Sequence, residues 1–180
     1  MMRVLVILLS MAYCCNSFAQ DTPRRTIVAG TVSFSGIGIS TEWNAQKRFT
    51  VETAVNFGPS YEVDDDAFFN TALAYPVYRR PALRFSVTPR IYLDGRKQVQ
   101  GGHVEPYLGL HIAYVTKPFS DYGGTTDAWL FHLHAGMRQM LSRRVLFNAH
   151  LGIGRGVNGD TGEGSMYPAF NVLIGYVLVK

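Results

Sequence analysis

His132 and His134 stand two residues apart in W-L-F-H-L-H-A-G. On a strand, residues two apart share a face, so both imidazoles point the same way. With His111 or His150 they could hold zinc, copper or nickel, which imidazole suits. No carboxylate or cysteine nearby completes a recognised metal spacing. Hydrogen bonding in an interior is therefore the expected role of these four histidines, with no metal and no cofactor. Nucleophilic chemistry is no better supported. A serine mechanism needs Ser, His and an acid within hydrogen-bond reach, and no strand carries Ser beside His. Ser86 and Thr88 flank no base in sequence, and no Gly-x-Ser-x-Gly elbow is present. The glycine-rich G-I-G-R-G of Gly152–Gly156 lacks the Lys-Ser/Thr of a phosphate loop.

The charged residues follow the same two-residue rhythm. In A-L-R-F-S-V-T-P-R-I-Y-L, Ala82 to Leu93, the residues Leu83, Phe85, Val87, Ile91 and Leu93 alternate with Arg84, Ser86, Thr88 and Arg90. That is a β-strand with one apolar and one polar face. Six such runs stand out: Phe49–Gly58, Ala82–Leu93, His103–Val115, Ala128–Met140, Arg144–Gly154 and Tyr167–Val179. Ala67–Arg79, interrupted by Pro76, is read as a further strand. Thr26–Asn44 supplies the first. Its apolar positions Val28, Val32 and Phe34 change parity to Ile37, Ile39 and Trp43 near Ser35-Gly36. A bulge in one long strand would do this, and so would a break into two short ones.

Eight strands put both ends of the chain on one side of a membrane. The short connections Asn44–Arg48, Arg80-Pro81 and Ser142-Arg143 and the longer ones, Pro59–Asp66, Asp94–Gly102, Lys117–Asp127 and Val157–Ser165, should then alternate. They do so in the second half of the chain and fail to in the first.

The leading residues have the form of an export signal: Arg3, an apolar run from Val4 to Leu9, then Ser17-Phe18-Ala19. Cleavage is expected after Ala19, leaving residues 20–180 as one domain. Both cysteines, Cys14 and Cys15, go with residues 1–19, so no disulfide is expected. Without Arg3 the balance is 16 bases to 13 acids, with no basic stripe for nucleic acid. No run after residue 20 reaches the roughly 20 apolar residues of a spanning helix, so a membrane form must be a closed barrel.

Alternation alone fits either a membrane barrel or a lipocalin-like carrier with apolar residues inside. The polar face discriminates. Lysine occurs only at positions 47, 97, 117 and 180, all in turns or at the end of the chain. A water-facing sheet normally carries lysine on its strands. The polar faces instead hold Gly109, Gly136, Gly152, Gly154 and Gly175, as a crowded interior would require. Trp43, Tyr75, Tyr114, Trp129 and Tyr176 lie near strand ends, where an interfacial girdle would sit. The expected fold is all-β, an eight-stranded antiparallel up-and-down transmembrane barrel. Glu42, Glu52, Arg84, Arg90, Glu105 and Arg138 face its lumen, paired because an isolated buried ion is costly. Arg90 is expected to meet Glu105 on the following strand. An eight-stranded interior is just wide enough for its own side chains, so the network plugs it.

The segments T-P-R-I-Y-L-D-G and G-G-H-V-E-P-Y-L-G-L resemble small outer-membrane β-barrel proteins of Bacteroidota, in which an Arg-x-Tyr strand leads to a Gly-rich strand with Pro-Tyr-x-Gly. The stretch from His134 to Gly154 and the closing I-G-Y-V-L are similar to that family's last three strands. The ending Val177-Leu178-Val179-Lys180 departs from the aromatic residue that often finishes such chains. Many proteins of this kind have no assigned activity. The resemblance implies a cell outer-membrane location, outer-membrane lipid and the barrel-assembly machinery as partners, and a monomer with a structural or surface-interaction role. The alternatives are an outer-membrane lipid-modifying enzyme, of lipid A deacylase or acyltransferase type, and a secreted lipocalin-like carrier.

Overall fold

The structure is a computed structural model that describes residues 26–46, 48–60, 77–93, 104–119 and 126–179. The expected signal segment 1–19, Tyr75 and most of the Ala67–Arg79 stretch lie outside these residues.

Eight antiparallel strands close into a barrel in simple chain order. They are β1 Thr26–Ser33, β2 Gly36–Asn44, β3 Phe49–Ser60, β4 Val77–Tyr92, β5 Val104–Val115, β6 Ala128–Met140, β7 Val145–Asn158 and β8 Gly164–Val179. β8 pairs back onto β1, with a register shift at Val28/Ala29. Closure leaves no sheet edge with unpaired backbone groups.

The expected strand count is right, but two of its members are not. Thr26–Asn44 is a hairpin of two strands, with Val32 opposite Ile37 and Ser33 opposite Gly36. Gly36 has φ +114° at its tight turn, a conformation L side chains rarely adopt. Ser33 Oγ accepts from the Ser35 N–H at 3.1 Å and donates to the Gly36 carbonyl at 3.3 Å. In the other direction, Arg80-Pro81 is not a turn. Val77–Arg79 belong to β4, which runs unbroken through Pro81 to Tyr92. The register shift between Pro59 and Ser60 absorbs the irregularity.

These two corrections improve the alternation of connections without completing it, since the tight Phe34-Ser35 turn shares an end with long connections and 93–103 shares an end with tight ones. The near end of the barrel, where Thr26 and Val179 lie, has the tight 45–48 and 141–144 turns and the 93–103 connection. The far end has the Phe34-Ser35 turn and the connections 61–76, 116–127 and 159–163.

The two faces separate cleanly. Outward positions carry Ile37, Ile39, Val55, Phe57, Phe85, Val87, Ile91, Leu108, Leu110, Phe131, Leu133, Leu151, Ile153, Phe170 and Ile174, all exposed. Leu133 and Leu151 each leave 65% of their surface uncovered. Arg155 is the one charged side chain on this face among the strand residues whose burial is described. It lies three residues from the far-end terminus of β7, within reach of a polar surface for so long a side chain. Aromatic rings mark both rims. Trp43 and Tyr176 stand near one end; Trp129 and Tyr114 stand near the other, with ring centroids 5.1 Å apart.

The β4–β5 seam lacks several backbone donors. Leu93 N–H donates to the Pro106 carbonyl at 3.0 Å and Thr116 N–H to the Leu83 carbonyl at 2.8 Å. The odd-numbered residues of β4 and the even-numbered residues of β5 therefore face one another. Pro81, Pro89 and Pro106 all occupy such positions, and none has an N–H to give. The β4–β5 pairing accordingly skips from Val87/Ile112 to Arg90/Gly109.

The barrel interior as a candidate functional site

The lumen is built in layers. Apolar clusters stand at its two ends: Ile27, Met140, Leu146 and Val177 at the near end, and Ala82, Ala113, Val115, Leu130, Tyr167 and Ala169 at the far end. Polar and charged side chains fill the space between.

Next to the near-end cluster lies the ion network. Glu42 of β2 faces Arg138 of β6 across the barrel, and Arg138 Nη1 donates to Glu42 Oε2. The Tyr92 hydroxyl donates to the other oxygen of Glu42 at 3.2 Å. Arg90 of β4 donates to Glu52 Oε2 of β3 at 2.6 Å and lies 3.9 Å from Glu42. One guanidinium thus sits between two carboxylates, and its carbon lies 4.9 Å over the Tyr107 ring. Tyr107 in turn donates to Asn148 Oδ1 at 2.7 Å. Arg138 keeps only 2% of its side chain exposed, which makes its carboxylate partner obligatory.

Five of the six expected network residues, Glu42, Glu52, Arg90, Glu105 and Arg138, lie in or beside this layer. The partner expected for Arg90 is corrected. Glu105 sits opposite Arg138, whereas Arg90 sits opposite Gly109, so register carries Glu105 toward the near end, away from Arg90. Glu52 and Glu42 take its place. Arg84 is buried nearer the far end, lining a small cavity with Arg90, His111, His150, Asn148 and Asn171. That cavity measures about 40 Å³. It is a space for a water or two rather than a channel.

The histidines form the central layer. His111 and His132 are opposed across β5 and β6 and stack with centroids 4.4 Å apart. His134 and His150 lie 4.3 Å apart, and His132 contacts both. Thr88 Oγ1 and His111 Nδ1 share a hydrogen bond of 2.8 Å. This side-chain bond spans the gap in the β4–β5 ladder. It is also the hydroxyl–imidazole pair that sequence reasoning could not locate. No carboxylate stands within hydrogen-bond reach of His111 among the described residues, so it is not a triad. His132 Nδ1 pairs with the Tyr167 hydroxyl at 3.0 Å.

Glycines make room for these rings. Gly109 and Gly152 flank His134 in register on either side. A Cβ on Gly109 would lie 2.5 Å from His134 Nε2, and one on Gly152 would lie 2.7 Å from its Cβ. Tyr92, Tyr107 and Tyr167 are the lumen residues that sequence reasoning missed. The alternation was there to find them, because Tyr92 continues the Arg84–Arg90 face.

No protein-family model, no curated protein and no solved structure matches the chain.

Proposed function

We propose that this chain is an outer-membrane barrel that spans the bilayer with a closed lumen and acts through its far-end surface, not as a diffusion pore. The carrying observation is the inversion of a soluble barrel. The apolar belt runs round the outside of all eight strands, while Glu42, Arg84, Arg90, Glu105 and Arg138 are buried inside. A lipocalin-like carrier has the opposite arrangement, with polar residues in water and an apolar cavity. In water such a belt would be a very large exposed patch, far beyond what soluble monomers show. In hydrocarbon the same belt costs nothing, and rings near the rims sit at the headgroup level.

The closed lumen follows from its contents. Ion pairs, stacked imidazoles and two apolar end clusters fill the lumen among the described residues, and the cavity beside Arg84 is small. The far-end connections hold more residues than the near-end ones, which favours that end for contact with other molecules.

The test is folding with and without lipid. The urea-unfolded chain should regain β structure and heat-sensitive gel migration on dilution into vesicles or detergent micelles, and should precipitate on dilution into buffer. In a planar bilayer the refolded protein should give no stepwise conductance. A monodisperse folded protein in lipid-free buffer would contradict the membrane reading, and steady channel steps would contradict the closed lumen.

A further inference from the structure

The central histidines leave more ring nitrogens open than a purely structural layer should. His134 is 4% exposed, and neither its Nδ1 nor its Nε2 has a hydrogen-bond partner. His132 Nε2 is also buried without one. Buried polar atoms are nearly always satisfied, so several orphaned nitrogens in one place require an explanation. These nitrogens converge. Ligand atoms of His132, His134 and His150 all lie within 4.8 Å of one another.

We propose that His132, His134 and His150 bind a divalent late transition metal of the nickel, copper or zinc class inside the barrel. Three imidazoles from two adjacent strands are a recurring donor set for such ions. The hydroxyl of Tyr167 on His132 Nδ1 fixes that ring and leaves Nε2 as the ligand atom. Outer-shell partners of this kind orient metal-bound histidines. A tetrahedral zinc with bonds near 2.0–2.1 Å holds its nitrogens about 3.4 Å apart, so small ring rotations close the triad. Calcium and magnesium are excluded by donor type, because they need oxygen ligands and the triad offers none.

The surroundings fit a bound cation. Arg84 and Arg90 both line the cavity beside His150, and Arg90 is held between Glu42 and Glu52. Gly109, Gly152 and Gly154 keep the space around His132 and His134 free of Cβ atoms. The cavity that His150 lines also touches Ser33 and Ser35 at the β1–β2 turn. His111 is held by Thr88 and lies outside the triad.

The experiment uses the full chain refolded in detergent micelles, loaded separately with zinc, copper and nickel, then passed over a desalting column. Elemental analysis should find one ion retained per folded chain. The copper form should show nitrogen hyperfine splitting from coordinated imidazoles in its electron paramagnetic resonance spectrum. His134→Gln and His150→Gln should each lose the retained ion, and His111→Gln should keep it. Tyr167→Phe should weaken retention about 10-fold or more, the usual effect of removing an outer-shell partner. Heat-sensitive gel migration checks that each variant folds. A wild-type protein that retains no ion overturns the proposal. So does a copper spectrum without nitrogen splitting, or an ion that survives both His134→Gln and His150→Gln; the wild-type spectrum decides if a variant fails to fold.

Discussion

At the scale of single residues, the lumen is held by groups that cannot lose their partners. Arg90→Leu leaves Glu52 without its 2.6 Å donor and removes a cation from beside Glu42. Breaking a buried pair from one side costs about 3–5 kcal/mol, because the remaining charge is stranded. Adding Glu52→Gln should recover part of that loss, and adding Glu105→Gln should recover none. Urea unfolding in vesicles reads both, and equal rescue by the two glutamines would contradict the pairing. The glycines make the complementary prediction. Gly109→Ala pushes a methyl into the His134 ring and should destabilise by about 1–3 kcal/mol, the range for overpacking a filled core. An unchanged unfolding midpoint would mean the ring has somewhere else to go. Much of this was legible beforehand. Arg84, Arg90 and Arg138 sit on polar faces of strands without lysine, and a planar guanidinium suits fixed carboxylates. The identity of each partner was not legible, since register decides it and alternation repeats every two residues whatever the register.

At the scale of elements, the parity change at Ser35-Gly36 comes from a hairpin. Across a two-residue turn, opposed residues such as Val32 and Ile37 have opposite parity yet share a face. A parity change around a glycine fits a bulge as well, and the positive φ of Gly36 with Ser33 opposite it shows that here the chain has turned back. Arg80-Pro81 misleads for the converse reason, because proline marks turns far more often than strand interiors. β4 carries Pro81 and Pro89 because both aim their missing donors at the β4–β5 seam. That seam should open before the β6–β7 seam. Amide exchange along β4 and β5 should outpace exchange along β6 and β7, whose register is unbroken from Ala128/Asn158 to Met140/Leu146. Pro89→Val should restore a donor opposite Leu110 and stabilise the barrel by about 0.5–1.5 kcal/mol, one net hydrogen bond. Uniform exchange over all eight strands would show that the prolines are compensated elsewhere.

At the scale of the whole molecule, the barrel is a charged and imidazole-rich interior wrapped in an apolar belt. Fold class could be read from period-two patterning, as could the outward assignment of Phe85, Phe131 and Phe147, whereas the count of eight held only because a hairpin read as one strand offset a strand read as two. Which histidine joins His132 and His134 could not be read, because the β6–β7 register decides that His150 rather than His111 completes the group. Phe85→Arg, Phe131→Arg and Phe147→Arg should each destabilise the protein in bilayers, by about 2–4 kcal/mol where the site lies at the midplane. The central claim is that the belt meets hydrocarbon, and the chain contains its own probes. Trp43 and Trp129 are its two tryptophans, both outward and near opposite rims. Their fluorescence should be read in vesicles of lipids brominated at successive depths, beside a Leu133→Trp variant with Trp43 and Trp129 changed to Phe. A spanning barrel predicts shallow bromines quenching the native tryptophans most and deep bromines quenching Trp at 133 most. Fluorescence indifferent to bromine at every depth would contradict it.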